Sequence, residues 1–122
     1  MKYKILKDEF IDVYGRILYR IIKSDTYEKG GFIEFEKNLS QSGDAWVSDN
    51  ARVSGDAKVS GDAKLSGNAW VFGDARVFGN AKLSGNAWVF GDARVSGNAE
   101  VSGDAKVSGD AKLSGDAFGK TK

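Results

Sequence analysis

The chain has 122 residues, which is enough for one domain, and its 18 basic and 17 acidic residues leave a net charge of +1. It contains no Pro, no Cys and no His, which excludes disulfide frameworks, thiolate or three-His zinc sites, Cys nucleophiles and Ser-His-Asp triads. The charge balance argues against direct nucleic-acid binding, and no apolar run approaches the ~20 residues of a membrane span.

The N-terminal segment is predicted to be a small β cap. Residues 2–7, 10–14 and 16–23 are rich in aromatic and β-branched residues, which is typical of strands, and Gly15 marks a hairpin turn between the last two. We expect residues 1–32 to form this hairpin and a linker, SDTYEKGG, and to cover the open strand edges of the repeat that follows.

From Ser42 onward the sequence repeats with a period of six residues. All 13 Ala lie in one phase from Ala45 to Ala117, Val or Leu follows two residues later twelve times, and Asp or Asn precedes every Ala. In A-x-V, alternation places Ala and Val on one side of a short strand and x on the other. The Ser-Gly-Asp or Ser-Gly-Asn segment supplies a turn, because Gly permits positive φ and Asn and Asp tolerate it. The repeat therefore predicts a coil of parallel strands that turns at regular intervals.

The period excludes other repeat folds and restricts where function can reside. A heptad coiled coil and a nonapeptide β-roll both require a different period. The inward positions hold Val, Leu and Ala, so the interior is predicted to be filled by side chains without a ligand cavity. Function is then expected on the outer faces, at the ends or between subunits.

The pattern V-x-G-[D/N]-A-x resembles the hexapeptide repeat of left-handed parallel β-helices over residues 43–118. The resemblance implies three hexads for each triangular coil. It departs from the family where Ser or Phe follows the aliphatic residue, so the corners carry different side chains. The predicted fold is all-β, a left-handed parallel β-helix of about five triangular coils over residues 33–118, with a C-terminal tail at 119–122.

Two further features concern the start of the repeat. Extending the phase backwards places Ile33 and Leu39 at Ala positions and Phe35 at a Val position, while Gln41 breaks the pattern. The segment GGFIEFEKNLSQSGDAWVSDNARV resembles the start of hexapeptide-repeat proteins of phages and prophages. That resemblance implies a phage origin.

The family geometry stacks residues 18 positions apart and sorts the x positions into three outer columns. They are Trp46, Lys64, Lys82, Glu100 and Phe118; Arg52, Trp70, Trp88 and Lys106; and Lys58, Arg76, Arg94 and Lys112. Phe72 and Phe90 stack likewise, whereas Phe78 falls among serines. Four aromatic side chains on adjacent coils are therefore predicted to form one outward patch, and such patches mark interfaces.

The predicted protein-binding or oligomer interface comprises Arg52, Trp70, Phe72, Arg76, Phe78, Trp88, Phe90 and Arg94. A second copy, in a homodimer or homotrimer, is favoured over a foreign protein, because relatives of this fold often trimerise along their faces. Two alternatives remain: the rings stabilise the ladder only, or the N-terminal cap folds over them.

The charged columns have a simpler interpretation. Asp56, Asp74, Asp92 and Asp110 stack beside the basic column, and a solvated neutral stripe is favoured. A calcium site on the Asp column and phosphate or acidic-partner binding at Arg76 and Arg94 are alternatives. The column of Asn50, Asn68 and Asn86 is expected to form hydrogen-bond ladders.

Catalysis is disfavoured. The acyl-transferring relatives of this fold use a His as general base, and this chain has none. Their insertion loops are also missing, so no catalytic residue, metal or cofactor is predicted.

The sequence thus predicts a non-catalytic β-helical protein-binding or scaffold module that docks through the aromatic patch. The alternatives are a phage-encoded inhibitor of a host defence complex, resembling anti-CRISPR proteins, and a virion or tail spacer. An acyltransferase relative is the least favoured reading. The first residues lack the apolar stretch of a signal peptide, so we expect a cytoplasmic protein, in the host cytoplasm if phage-encoded, without membrane contact.

Overall fold

The computed structural model describes residues 2–114 and the backbone of residues 118–120. This part of the chain contains β-strands and one 3-10 helix, Glu36–Asn38, but no α-helix. The strands are β1 Tyr3–Val13, β2 Arg16–Lys23, β3 Lys29–Ile33, β4 Trp46–Val47, β5 Arg52–Val53, β6 Lys58–Val59, β7 Lys64–Leu65, β8 Trp70–Val71, β9 Arg76–Val77, β10 Lys82–Leu83, β11 Trp88–Val89, β12 Arg94–Val95, β13 Glu100–Ser102, β14 Lys106–Val107, β15 Lys112–Leu113 and β16 Phe118–Lys120.

The strands of the repeat form three parallel sheets around a solenoid. Their orders are β5-β8-β11-β14, which continues β1-β2-β3; β4-β7-β10-β13-β16; and β6-β9-β12-β15. We call them the aromatic face, the mixed face and the charged face, respectively. Each strand pairs with the strand one coil away, as Trp70 does with Trp88, and the predicted columns are confirmed by this register.

Backbone hydrogen bonds between coils hold the stack together. The amide of Trp70 donates to the carbonyl of Ala87 at 2.9 Å, and the equivalent bond recurs from coil to coil. The all-β solenoid of about five coils, made of parallel sheets, is therefore confirmed. Its left-handed sense stays a prediction.

The corners use the left-handed backbone conformation that the repeat predicts. Gly79 has φ +68°, and a Cβ placed there would lie 2.8 Å from the amide nitrogen of Gly97. Asp49 stands at the one corner that lacks this Gly, and it adopts φ 56°. Asp tolerates that conformation because its short side chain bonds locally, and here the carboxylate accepts from the Gly67 amide at 3.0 Å.

The core is one continuous column of Ala and Val or Leu. The inward side chains from Ala45 to Val101 are 0–1% exposed, and Ala105 and Val107 near the last coil are 6% and 7% exposed. The filled interior expected from the repeat is therefore confirmed from Ala45 to Val107, whereas at the end of the described stack Ala111 is exposed and Leu113 is partly buried.

The first coil has a different register from the one predicted. Ile33 pairs with Val53 and Leu39 with Val59, so both occupy Val positions, an offset of 20 residues. The predicted placement at Ala positions is wrong, and Phe35, expected to point inward, is 45% exposed.

The physical reason lies at two corners. Between Leu39 and Val47 the chain has two more residues than a regular hexad, and Gln41 lies in this segment. At the previous corner the 3-10 helix replaces the Gly turn, and the buried Asn38 completes it. The Asn38 amide donates to Gly55 O at 3.1 Å and Ala57 O at 2.8 Å, and its oxygen accepts from two backbone amides.

The N-terminal segment forms a hairpin that extends the aromatic face. Strands β1 and β2 pair antiparallel, with a bulge between Leu6 and Phe10. The two-residue turn, Tyr14-Gly15, has φ 52° and 85°, as a type I′ turn requires.

The expected linker ends in a strand. Strand β3 pairs antiparallel with β2 and parallel with β5, so it joins the cap to the solenoid. Gly30 and Gly31 permit this, because a Cβ at either would lie 2.4–2.5 Å from a backbone oxygen of the next coil.

The start of β1 closes the first end of the solenoid. Gln41, which breaks the repeat, accepts from the Lys2 and Tyr3 amides at 2.9 and 3.2 Å. The buried Tyr3 hydroxyl donates to Leu39 O at 2.6 Å, and Lys2 Nζ donates to Ala45 O at 2.8 Å. Burial and the Glu36 carboxylate raise the pKa of Tyr3.

At the other end, the backbone of Phe118–Lys120 forms β16 and pairs in parallel with β13. The rest of the predicted tail, residues 121–122, lies outside the described residues. Within the described part, no helix has the length and apolar character needed to cross a membrane.

Candidate functional site

The aromatic patch consists of Trp70, Phe72, Trp88 and Phe90. The rings of Phe72 and Phe90 are stacked, with centroids 4.8 Å apart and planes 3° from parallel. Trp88 meets both phenylalanines edge-on at 5.9 and 6.4 Å, and Trp70 meets Trp88 at 5.4 Å. All four side chains are half-buried, so the rings form one contiguous surface that remains partly open to solvent.

A serine below the patch determines the direction of the Trp70 ring. Ser54 occupies the position that Phe72 occupies one coil later, and it is 1% exposed. Trp70 Nε1 donates to Ser54 Oγ at 3.1 Å, so the indole lies over this small side chain and its polar atom is satisfied. Phe72 then packs on the indole with the centroids 4.4 Å apart.

The tip of the N-terminal hairpin reaches the patch. The Tyr14 ring is stacked on Trp70, with centroids 6.2 Å apart and planes 11° from parallel. Trp70 also packs beside the small cluster formed by Val13, Leu18 and Phe32. The hairpin therefore covers Trp70 in part, while the ring contacts of Phe90 are with members of the patch.

A groove of about 460 Å³ lies between the hairpin tip and the patch, and we call it the tip groove. Its hairpin side is lined by Val13, Tyr14 and Arg16. Its solenoid side is lined by Ser54, Gly55, Asp56, Trp70, Phe72, Gly73, Asp74 and Trp88. It is thus largely aromatic, with two carboxylates and one guanidinium.

The remaining predicted site residues lie apart from one another. Arg52 is half-buried on the aromatic face, where it pairs with Trp70. Arg76 and Arg94 are exposed on the charged face and stack on each other. Phe78 follows β9 on that face and is 37% exposed, so it does not extend the aromatic patch.

The Asp column and the basic column line a second groove, of about 810 Å³, along the charged face. At its first end Lys37 Nζ lies 2.7 Å from Asp56 Oδ1, and this hydrogen bond holds the pKa of Asp56 below its usual value. Among the described residues, no group of three or more acidic side chains is placed to hold a metal ion.

The expected amide ladder is present at a corner from Asn68 to Asp104, and the predicted member Asn50 is not bonded into it. Asn68 Nδ2 donates to Asn86 Oδ1 at 3.2 Å, and Asn86 donates to Asp104 at 3.0 Å. Asn80 forms the same bond to Asn98 at another corner. These bonds tie successive coils together.

The contribution of the hairpin tip to the site was not predicted from the sequence. Tyr14 stands at a turn position with φ 52°, where Asn is the residue that hairpins favour before Gly. A bulky residue in this conformation is strained, and such strain is concentrated at functional positions. That unusual turn residue was the available signal.

Comparison with known proteins supports the repeat. A family described as YdcK Beta solenoid repeat matches residues 45–61, which run from β4 to the corner after β6. No curated protein matches the chain at a significant level. The fold and this match define a β-solenoid repeat protein.

Proposed function

We propose that the protein is a non-catalytic protein-binding or scaffold module that docks through the aromatic patch. The observation that carries this proposal is the stack of Phe72 on Phe90, which is flanked by both tryptophans and is partly exposed. Aromatic side chains dominate the energetics of protein interfaces. The backbone ladder already orders these rings, so a partner that binds them incurs less loss of side-chain entropy.

A second copy of the chain, in a homodimer or homotrimer, is the partner we favour. The patch lies on one sheet face of the solenoid, and a symmetric contact would bring two identical patches together. Each copy would then bury rings that face water in the single chain.

Light scattering tests this contact. The wild type should have two or three times the mass of a single chain, which is 13.1 kDa. The double variant Trp88→Ser, Phe90→Ser should be a monomer that still unfolds cooperatively. Phe78→Ser is the matched control, because Phe78 holds the same hexad position on another face, and its mass should equal that of the wild type.

A monomeric wild type would overturn self-association and make a foreign protein the partner. Quantitative capture from a lysate with the same variants then tests whether a foreign protein docks on the patch. A protein retained by Phe78→Ser and lost by the patch variant supports docking through the patch. Equal capture by both variants contradicts it.

The acyltransferase alternative lacks both of its requirements. The chain contains no His to act as general base, and its hexads follow one another without an insertion from Gly43 to Ser114. Acyl-CoA should therefore leave the melting temperature unchanged, and a saturable increase would contradict a non-catalytic role.

Phage origin rests on the resemblance of residues 30–53 alone. Inhibition of a host defence complex, or a role as a virion spacer, is proposed on that ground. Either role would use the same patch.

A further inference from the structure

The tip groove combines aromatic rings with carboxylates in a way that the patch itself does not. Trp70, Phe72 and Trp88 line it together with the exposed Asp56 and Asp74. Ring faces carry partial negative charge, and an ionised carboxylate carries a full negative charge. Both components therefore attract a cation.

The groove already contains one cation, the Arg16 guanidinium, but the Glu34 carboxylate neutralises its charge. Arg16 binds both oxygens of Glu34, at 3.0 and 3.2 Å, and the Glu34 carboxylate also accepts from the Gly55 amide at 2.8 Å. Lys37 likewise pairs with Asp56. Asp74 forms no ion pair among the described residues, so of the two carboxylates that line the groove it is the one without a salt-bridge partner, although the basic column of the charged face lies beside it.

Neighbouring rings on the same face bind cations from this chain. Arg20 lies over Phe32 with its guanidinium carbon 4.3 Å from the centroid, and Lys106 Nζ lies 5.0 Å from the Trp88 centroid. Phe32 and Trp88 belong to the same column as Trp70. In the part of the chain that is described, no Lys or Arg lies over Trp70, whose ring contacts are with Tyr14, Phe72 and Trp88.

We infer that the tip groove receives an arginine side chain of a partner protein, which stacks on the rings and pairs with Asp74. Arginine fits better than lysine, because its planar guanidinium stacks on aromatic faces and its fork of donors can bind both oxygens of one carboxylate. This inference rests on the proposed protein-binding function. It assigns to the partner a basic residue next to the apolar surface that covers the patch.

Nuclear magnetic resonance of the full chain can test this with defined probes. The probes are the peptides acetyl-Gly-Arg-Gly-amide, acetyl-Gly-Lys-Gly-amide and acetyl-Gly-norleucine-Gly-amide. The readout is the indole N–H signals of Trp70 and Trp88, with Trp46 as internal control because it is 7% exposed and lies outside the groove. The arginine peptide should shift the first two signals saturably, and it should bind about two- to fivefold more tightly than the lysine peptide.

Two Asp-to-Asn variants at successive positions of the Asp column make the test specific. Asp74→Asn should weaken binding of the arginine peptide about two- to fivefold. Asp92→Asn, one coil further and outside the tip groove, should leave it unchanged. An equal loss in both variants would mean diffuse attraction to the Asp column and would overturn the inference.

Other outcomes are equally decisive. Equal binding of the norleucine peptide would assign an apolar occupant, and the absence of a saturable shift would assign none; both overturn the inference. The two proposals also fail separately, because the arginine titration uses the wild type and Asp74→Asn, whereas the mass and capture tests use the Trp88→Ser, Phe90→Ser variant, in which Trp88 lines the groove and Phe90 does not. If the double variant loses its partner while the wild type shows no saturable shift with the arginine peptide, the proposed function stands and the arginine inference fails.

Discussion

The ring of Tyr14 lies parallel to the indole of Trp70, although the two residues belong to different parts of the chain. The planes are 11° apart and the centroids are separated by 6.2 Å. Tyr14 is nevertheless 91% exposed and has φ 52°, so the hairpin holds a strained residue at its tip and gains little burial from it. The ring therefore acts mainly as a wall of the tip groove.

Replacing Tyr14 should separate the strain it causes in the turn from its stacking on Trp70. In Tyr14→Asn the turn relaxes, because Asn tolerates positive φ, while the stacking on Trp70 is lost. We expect the free energy of unfolding to stay within about 1 kcal/mol of the wild type, while acrylamide quenching of tryptophan fluorescence increases. Tyr27→Asn is the control, because Tyr27 has φ 60° and is 72% exposed. Unchanged quenching in Tyr14→Asn would contradict the shielding of Trp70.

The glycine corners should be sensitive to a single methyl group. Gly79→Ala would place its Cβ 2.8 Å from the Gly97 amide nitrogen, whereas Gly109→Ala would meet nothing within 4 Å at φ +63°. Both variants incur the ~1–2 kcal/mol of the left-handed conformation, but only the first adds a backbone clash. Gly79→Ala should thus have the lower urea midpoint, and equal midpoints would contradict the tight stacking of the corners.

Truncating a core leucine should cost more stability in the middle of the stack than near its end. Leu83 is 1% exposed, and Leu83→Ala should lower the free energy of unfolding by about 2–5 kcal/mol because it leaves a cavity. Leu113 holds the same hexad position but is partly buried near the end of the stack. Leu113→Ala should lower the free energy of unfolding, measured in urea, by a clearly smaller amount. Similar losses in the two variants would argue against a continuous core.

The cap should weaken at alkaline pH through Tyr3. Its pKa is raised in the folded chain by burial and by Glu36, while a tyrosine in the unfolded chain ionises near pH ~10. The folded state therefore binds this proton more tightly, and the resulting stabilisation is complete below about pH 10 and is lost as the pH rises further.

The variant Tyr3→Phe tests this contribution. It should be less stable at neutral pH, because it loses the hydrogen bonds to Glu36 O and Leu39 O. Between about pH 9 and pH 11 its stability should decrease less steeply than that of the wild type. Tyr27→Phe should keep the slope of the wild type, and identical slopes in all three proteins would assign the alkaline effect elsewhere.

The strict period explains why most of the fold could be predicted. The period fixes the inward position at each Ala and Val and the corner at each Gly, and the resemblance to left-handed β-helices adds three hexads for each coil, so the stacking of Trp70 beneath Trp88 could be predicted. The backbone bonds between coils leave no alternative register once the interior is filled.

The prediction failed where the period stops. Ile33 and Leu39 matched the Ala phase by position, but their side chains are too large for that site and occupy Val positions. The two additional residues around Gln41 absorb the difference. Because Gln41 binds the backbone of Tyr3, a contact across 38 residues, no local pattern could reveal its role.

The candidate site was predictable in part for the same reason. The stack of Phe72 on Phe90 follows from the repeat, whereas the tip groove depends on how the hairpin folds against the solenoid. Long-range packing of Tyr14 on Trp70 leaves no periodic trace in the sequence.

The 11-residue segment GNAWVFGDARV occurs twice, beginning at Gly67 and again at Gly85. Because one coil contains 18 residues, duplicating a whole coil here would add another Trp and another Phe to the same face, in line with those already present. Inserting a single hexad would instead rotate every later side chain onto a neighbouring face. The length of the aromatic surface is thus inherited in whole coils, and copying a coil would lengthen the surface without any new point mutation.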